Sequence, residues 1–399
     1  MGRFGWTRIA MGLAALAVVA VALAADPPRV TLTLARDGRP AATIVIARQA
    51  TKAAQFAAAD LQWHLKQITG GDFRLARDDE PVAGLRLLVG ESQATDTFDF
   101  KPQEYLIRFT PEALILAGRD QPDSAEVKWS LTPTQAEWDT WPSIWDEQGT
   151  MYAVYDFLER HCNVRWLNPT ETGMDCPAQP TLTVSGSEIR RSPFFRYRYA
   201  SYPGAERYDQ YTGLWAYGSD GYKTWEEAAY PNLRARFQGG AYTLAKRGWN
   251  MLFRLRHREG GEICLGNHSL YGYYRRFWEP EKGQEALFES KHADWFAMSS
   301  AGTPGYEGKP PQMCYTSRGL VEQVAKDARE FFDTGKTYPG AQAAGNFFCV
   351  EPMDNASFCK CPDCQKWLTD HDADSPFFSN GRHSDYFFQF VNEVAKEVR

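Results

Sequence analysis

Asn346-Phe347-Phe348-Cys349-Val350-Glu351-Pro352-Met353-Asp354-Asn355-Ala356-Ser357-Phe358-Cys359-Lys360-Cys361-Pro362-Asp363-Cys364 is the stretch on which the reading of this fold turns. An apolar, β-prone run stops at two carboxylates, Glu351 and Asp354, and a C-x-C-x-x-C cluster follows at once. Strands that end in acids are how (β/α)8 barrels present catalytic groups, at the carboxyl end of the strand. The cysteines would then staple or metallate the loop that holds the acids.

Working upstream, four strand-then-helix units can be drawn from Phe194 onward. The strands are Phe194–Tyr199, Trp249–Phe253, Gln312–Tyr315 and Asn346–Val350. The helices are Leu233–Arg247, Glu281–Phe296, Arg318–Phe332 and, last, Cys361–Asp370, Asp385–Val398 or both. Alternation of this kind implies a parallel sheet. A complete barrel takes about 250 residues and eight units, whereas roughly 200 residues and four units follow Phe194. The expectation is therefore an incomplete α/β barrel of (β/α)8 type over 194–399, with raw sheet edges.

The earlier part reads differently. Val30–Leu34 and Ala42–Ile46 alternate around an Asp37-Gly38 hairpin signal. Thr51–Thr69 carries Ala54, Phe56, Ala57, Leu61, Leu65 and Ile68 at helical spacing, and Gly70-Gly71 closes it. Strands over Leu85–Gly90, Glu104–Phe109 and Ala113–Gly118 and a helix over Gly149–Cys162 follow. This order predicts an α+β domain over 25–175, a mixed sheet with two helices on one face. Residues 123–148 read as an insertion, and 176–193 as a linker with one strand.

Residues 1–24 read as a cleaved signal peptide. Arg3 and Arg8 precede an apolar stretch from Ile9 to Ala24, and Ala22-Leu23-Ala24 forms the cleavage pattern. A secreted or periplasmic protein is expected, with no transmembrane segment after cleavage. A net charge of −6 without a basic run argues against nucleic acid. Aromatic residues make up 14%; most belong to cores, though their faces can also stack on sugar rings.

Candidate chemistry centres on the acids. Asp354 or Glu351 would be the proton donor in glycoside hydrolysis, provided burial raises its pKa. His268, beside Asn267, is a candidate to bind a sugar hydroxyl or assist proton transfer. Arg196 and Arg198 could hold an acidic sugar in a bidentate grip. Asn250 and Arg254 sit at the end of the second expected strand. Cys359, Cys361 and Cys364, with Cys349 or Cys314 as a fourth, have metal-like spacing, but export favours disulfides over metal, and Cys162 and Cys176 are near enough in sequence to pair. No cofactor is expected.

Two segments carry a resemblance. AQFAAADLQWHLKQITG (54–70) and GTMYAVYDFLERHCNVRWLNPTETG (149–173) resemble the small N-terminal domain of family 67 α-glucuronidases and family 20 β-hexosaminidases. NHSLYGYYRRFWEP (267–280), HADWFAM (292–298), QMCYTS (312–317) and VEPMDNASFCKCPDCQKW (350–367) resemble the exported domain of unknown function 4838 family. The resemblance implies a non-catalytic α+β domain followed by a glycosidase-like barrel with an acid at the end of its fourth strand, the station of Glu351 and Asp354. No Asp-Glu or Asp-Asp pair stands there, which departs from the substrate-assisted hexosaminidase pattern. The expected function is an exported carbohydrate-active protein, a glycoside hydrolase with a carbohydrate substrate. The alternatives are a non-catalytic glycan-binding protein on the same scaffold and a zinc-stabilised structural protein of the cell envelope.

Overall fold

In the computed structural model, which describes residues 29–399 apart from 96, 168–172, 200–247, 249–250, 267, 299–309, 311, 356, 369–380 and 382, the chain builds two sheets and a separate two-stranded ribbon before residue 192. Strand β1 (Val30–Arg36) turns at Asp37 and Gly38, whose φ values of 46° and 78° suit a primed hairpin turn. Its hairpin partner is only β2 (Arg39–Pro40), not the expected Ala42–Ile46. Pro40 has no N–H to extend the ladder, and β3 (Ala42–Ile46) leaves for the other sheet.

Four more strands are β4 (Leu75–Arg77), β5 (Leu85–Val89), β6 (Tyr105–Phe109) and β7 (Ala113–Gly118). One short pair follows, β8 (Arg165–Trp166) with β9 (Met174–Asp175), and then two strands that pair with earlier ones, β10 (Leu182–Gly186) and β11 (Glu188–Arg191). The six-stranded sheet runs β11-β6-β7-β5-β3-β4, parallel from β7 to β4 and antiparallel at β6 and β11. Strand β10 pairs with β1. Residues 182–191, read as part of a linker with one strand, thus supply a strand to each sheet.

Helix α1 (Lys52–Thr69) begins where Thr51 Oγ1 accepts the Ala54 N–H and ends at left-handed Gly70. The short α2 (Gln135–Trp138) lies in the loop before α3 (Gly149–His161). Helices α1 and α3 pack together on one face of the sheet. Alternation along the strands decides the faces: Ile44, Leu87, Ile107 and Leu116 meet the helices, while Val45, Leu88, Leu106 and Ile115 meet Phe98 and Phe100 on the other side. A Cβ on Gly149 would lie 2.5 Å from the Glu104 carbonyl oxygen, so only glycine lets α3 start against the sheet.

A buried ion pair ties this core to later sequence. Arg256 Nη2 and Nε lie 2.8 and 3.1 Å from the two oxygens of Asp60 on α1. Tyr155 on α3 donates to the same carboxylate at 3.1 Å. Residues 251–256 are helical, and Leu252, Phe253 and Leu255 join the α1/α3 core. The strand expected at 249–253 is therefore a helix where described. A five-residue apolar run cannot tell the two apart, and burying Leu252, Leu255 and Arg256 together needs helical spacing.

His64 completes the network and gives it a pH dependence. Its Nδ1 lies 2.7 Å from the Asp60 carbonyl oxygen, and its Nε2 accepts from Trp166 Nε1 at 3.2 Å. These partners specify a neutral ring protonated on Nδ1. Burial holds its pKa down to about 4. The unfolded ring takes up a proton near 6.5, so this stabilisation is complete above about 6.5 and lost as pH falls towards 4, on the order of 3 kcal/mol. Half-buried Asp120 is pushed up to about 6 by desolvation. Its folded pKa is raised, so its contribution is present at low pH and lost as pH rises through 6, the opposite sign over the same window. Asp120→Asn should unmask His64: urea unfolding at about pH 4.5 should give a stability roughly 2–3 kcal/mol below that at pH 7. A flat profile in that variant would contradict the neutral His64.

The later residues bury a separate core around Tyr273, Phe277, Trp295, Met313, Tyr315, Val324, Tyr386 and Phe390. Its main helices are Gly272–Phe277, Arg318–Thr334 and Ser384–Val398. Arg276 forks onto Asp327 at 2.6 and 3.1 Å and joins the first two. The expected parallel barrel is not seen among the described residues. Strand β12 (Tyr197–Arg198) pairs antiparallel with β13 (Gly260–Gly261). Met313 makes only an isolated bridge to Phe296. Strand β14 (Ala343–Ala344) and β15 (Phe347–Phe348) form a hairpin around Gly345, φ 56°, so the fourth expected strand pairs with its own neighbour. The helix expected over 281–296 is reduced to single turns at Glu285–Leu287 and Ala293–Trp295, separated from Glu281 by left-handed Gly283. The expected helix at Leu233–Arg247 lies outside the described residues.

Candidate functional site

After β15 the chain is pinned to the loop before Gly272–Phe277. Glu351 N–H donates to Ser269 Oγ at 2.8 Å, and the His268 N–H donates to Glu351 Oε2 at 3.3 Å. His268 itself has φ 48°, a left-handed conformation that non-glycine residues rarely adopt. That backbone turns the imidazole back over the acids. Its Nδ1 lies 3.0 Å from the Pro352 carbonyl, which makes Nδ1 the donor and leaves Nε2 facing Asp354 Oδ2 at 3.7 Å. Gly266 gives Glu351 room, since a Cβ there would lie 2.8 Å from Glu351 Oε1.

Gln312, fully buried, sets the turn that carries Asp354. Its Nε2 donates to the carbonyls of Met353 and Asn355, both at 2.8 Å, and its Oε1 accepts the Met353 N–H at 3.3 Å and the Tyr315 hydroxyl at 2.8 Å. Gln312→Leu would strand those buried groups and is expected to cost about 2–4 kcal/mol in urea unfolding. A cost under about 0.5 kcal/mol would mean that the turn holds itself.

Together these residues open a cleft of about 290 Å³, at the small end for ligand sites. His268, Glu351 and Asp354 form one wall, and Phe358, His383 and Phe387 line another part. Phe358 and His383 stack at 4.1 Å between centroids. The cleft thus offers an imidazole, two carboxylates and flat apolar faces within one small volume. Asp354 is 70% exposed at its mouth.

The other expected substrate binders lie elsewhere. Arg196 forks onto Glu262, with Nε to Oε1 at 2.7 Å and Nη2 to Oε2 at 2.6 Å. Arg198 donates to Arg258 O, Gln103 Oε1, Phe195 O and the Tyr152 hydroxyl at 2.6–2.9 Å, so its guanidinium joins β12 to α3 instead of reaching for a sugar acid. Neither arginine lines the cleft. Arg254 stacks over Tyr199 at 4.8 Å. Asn250 and Asn267 lie outside the described residues. Sequence reading missed Ser269, Gln312, His383 and Phe387, because none sits in a pattern that sets it apart locally.

All eight cysteines are free thiols, so neither the expected Cys162–Cys176 bridge nor a disulfide in the 359–364 loop is present. Cys314, Cys359, Cys361 and Cys364 instead gather with every sulfur within 4.8 Å of the others. Cys349 is not in that group.

Residues 168–399, more than half of the chain, match the family model described as domain of unknown function DUF4838. No curated protein matches the chain. Among solved structures, it is similar to the GH20 β-N-acetylhexosaminidase of Streptomyces coelicolor A3(2), with 14% identity over 42% of this chain and 24% of that one, TM-score 0.24. It is also similar to a Streptomyces plicatus β-hexosaminidase mutant in complex with its product, at 18% identity over 43% and 25%, TM-score 0.25. A family GH115 4-O-methyl-α-glucuronidase with specificity for decorated arabinogalactans aligns at 14% identity over 92% of this chain and 41% of that one, TM-score 0.31. The chain spans about a quarter of the length of both hexosaminidases.

Proposed function

The chain belongs to the DUF4838 family, and from that premise we propose that it acts on carbohydrate in the cleft of His268, Glu351 and Asp354, as a glycoside hydrolase. One observation carries the reading: two carboxylates and an imidazole share a small cleft with stacked aromatic rings. Cleaving a glycosidic bond requires a proton for the leaving oxygen and negative charge beside the oxocarbenium-like carbon. We assign proton transfer to Asp354, whose carboxylate faces His268 Nε2 at 3.7 Å. Glu351, oriented by the His268 backbone N–H, supplies the charge. Phe358 and Phe387 offer faces to the sugar ring. The leader expected at residues 1–24 would place the substrate, a polysaccharide or glycan, outside the cytoplasm.

A second reading, glycan binding without cleavage, draws on the exposure of Asp354, because a general acid is ordinarily raised into its working range by burial. Hydrolysis of a panel of aryl glycosides, glucuronides and N-acetylhexosaminides included, separates the two when run beside glycan-array binding. Turnover supports the hydrolase. Binding without turnover supports the second reading, and neither binding nor turnover across the panel would remove both.

A further inference from the structure

We propose that Cys314, Cys359, Cys361 and Cys364 form a closed tetrathiolate site for one zinc ion, independent of the carbohydrate reading. The spacing is the first argument. Zinc binds thiolate at about 2.3 Å in tetrahedral geometry, which puts the sulfurs about 3.8 Å apart. Here Cys314 Sγ lies 3.7 Å from Cys364 Sγ and 3.9 Å from Cys361 Sγ, and all four lie within 4.8 Å of one another. Disulfides would instead draw the sulfurs into pairs about 2.05 Å apart. Four unpaired thiols gathered within 4.8 Å of one another fit one shared ion.

The surroundings of the sulfurs are the second argument, and an independent one. Donors converge on them: the Met298 N–H on Cys359 at 3.2 Å and the Cys364 N–H on Cys361 at 3.4 Å. The Tyr386 and Thr316 hydroxyls approach Cys364 at 2.8 and 3.1 Å. Sulfur in a disulfide or a thiol accepts weakly, whereas metal-bound thiolates carry charge that such donors stabilise. Cys314, Cys359 and Cys364 are buried and Cys361 is half-buried. With four protein ligands no position is left open for water or substrate, which marks a structural rather than a catalytic site.

Binding involves no redox step. One Zn²⁺ replaces four thiol protons, four Zn–S bonds form, and the four protons go to solvent. The ligands join two pieces of chain, and the Tyr386 hydroxyl ties a third to them. Cys314 lies two residues after Gln312, the clamp on the Asp354 turn, and the 359–364 loop follows that turn directly. Tyr386 belongs to the helix Ser384–Val398, which carries Phe387 into the cleft. The ion would therefore fasten both walls of the cleft from beneath.

The test is metal analysis of the purified chain by mass spectrometry, with zinc titration of the reduced protein against a chromogenic chelator. One zinc per chain is expected, and cobalt in its place should give an intense thiolate-to-metal charge-transfer band. Cys359→Ser and Cys364→Ser should lose the ion, while Cys264→Ser should keep it. Should the ligand variants fail to fold, Tyr386→Phe keeps the ring, removes the hydroxyl that donates to Cys364 and accepts the Tyr315 N–H at 3.3 Å, and should weaken zinc binding about 10–100-fold. Disulfides among these four cysteines in the metal-free protein would overturn the proposal. So would a reduced protein that takes up no zinc, or zinc retained undiminished in both serine variants. Loss of glycan activity with zinc still bound would count against the carbohydrate reading alone.

Discussion

Arg256→Met is expected to destabilise the protein by about 3–5 kcal/mol, because it leaves Asp60 charged, buried and without its counter-ion. Asp60 is fully buried between α1 and α3, and Arg256 supplies two of the hydrogen bonds to its carboxylate. Arg256, with Tyr155, holds the Asp60 pKa below the usual carboxylate range against the desolvation that would raise it. Removing the guanidinium lets desolvation dominate. His64, whose Nδ1 lies 3.4 Å from Asp60 Oδ1, then becomes the nearest group that can charge. The loss should therefore be smaller at pH 5 than at pH 8, where His64 stays neutral. The double variant Asp60→Leu/Arg256→Met should recover most of the stability, since replacing a buried pair by apolar groups is often neutral. Urea unfolding of both variants and the parent closes the cycle. A single-variant loss under about 1 kcal/mol would show that the pair is not desolvated as described.

Asp354→Asn should lower turnover of any hydrolysed glycoside by about 10²–10⁴-fold, the usual worth of a positioned proton donor. KM should change little, because the amide keeps the shape and exposure of the side chain. The variant should also fold normally, since Asp354 is 70% exposed and the Gln312 bonds go to the backbone of Met353 and Asn355. Glu351→Gln should lose a comparable 10²–10³-fold, as for other groups that stabilise developing charge. An intact rate in both variants would remove these carboxylates from the chemistry.

Much of the first sheet was legible because local signals and burial agree there. Thr51 and Gly70 bracket α1 at its observed ends, and the alternating runs in β5, β6 and β7 meet core on both faces. The later strands were misread for a common physical reason. Short apolar runs such as Trp249–Phe253 and Gln312–Tyr315 carry no periodicity that separates strand from buried helix or loop. Long-range partners decided them: Arg256 found Asp60, and Met313 found Phe296. Gly345 turned Phe347–Phe348 back onto Ala343–Ala344, which a parallel reading could not anticipate.

Within the site, Glu351, Asp354 and His268 could be singled out because an acid after an apolar run and a histidine after a glycine-rich loop are local patterns. Gln312, Ser269 and His383 could not, since their roles come from contacts distant in sequence, as in the Gln312–Met353 and Ser269–Glu351 bonds and the Phe358–His383 stack. The fourth thiol shows the same limit. Spacing left Cys314 and Cys349 equal, and the fold places Cys314 with Cys359, Cys361 and Cys364.

Hydrogen–deuterium exchange with and without the glycan that binds or is cleaved tests the location of the site most directly. Protection should rise at residues 351–358 and 383–388, which form the cleft. Glycan binding that leaves both segments unchanged, or that protects the Arg196–Arg198 strand instead, would contradict it.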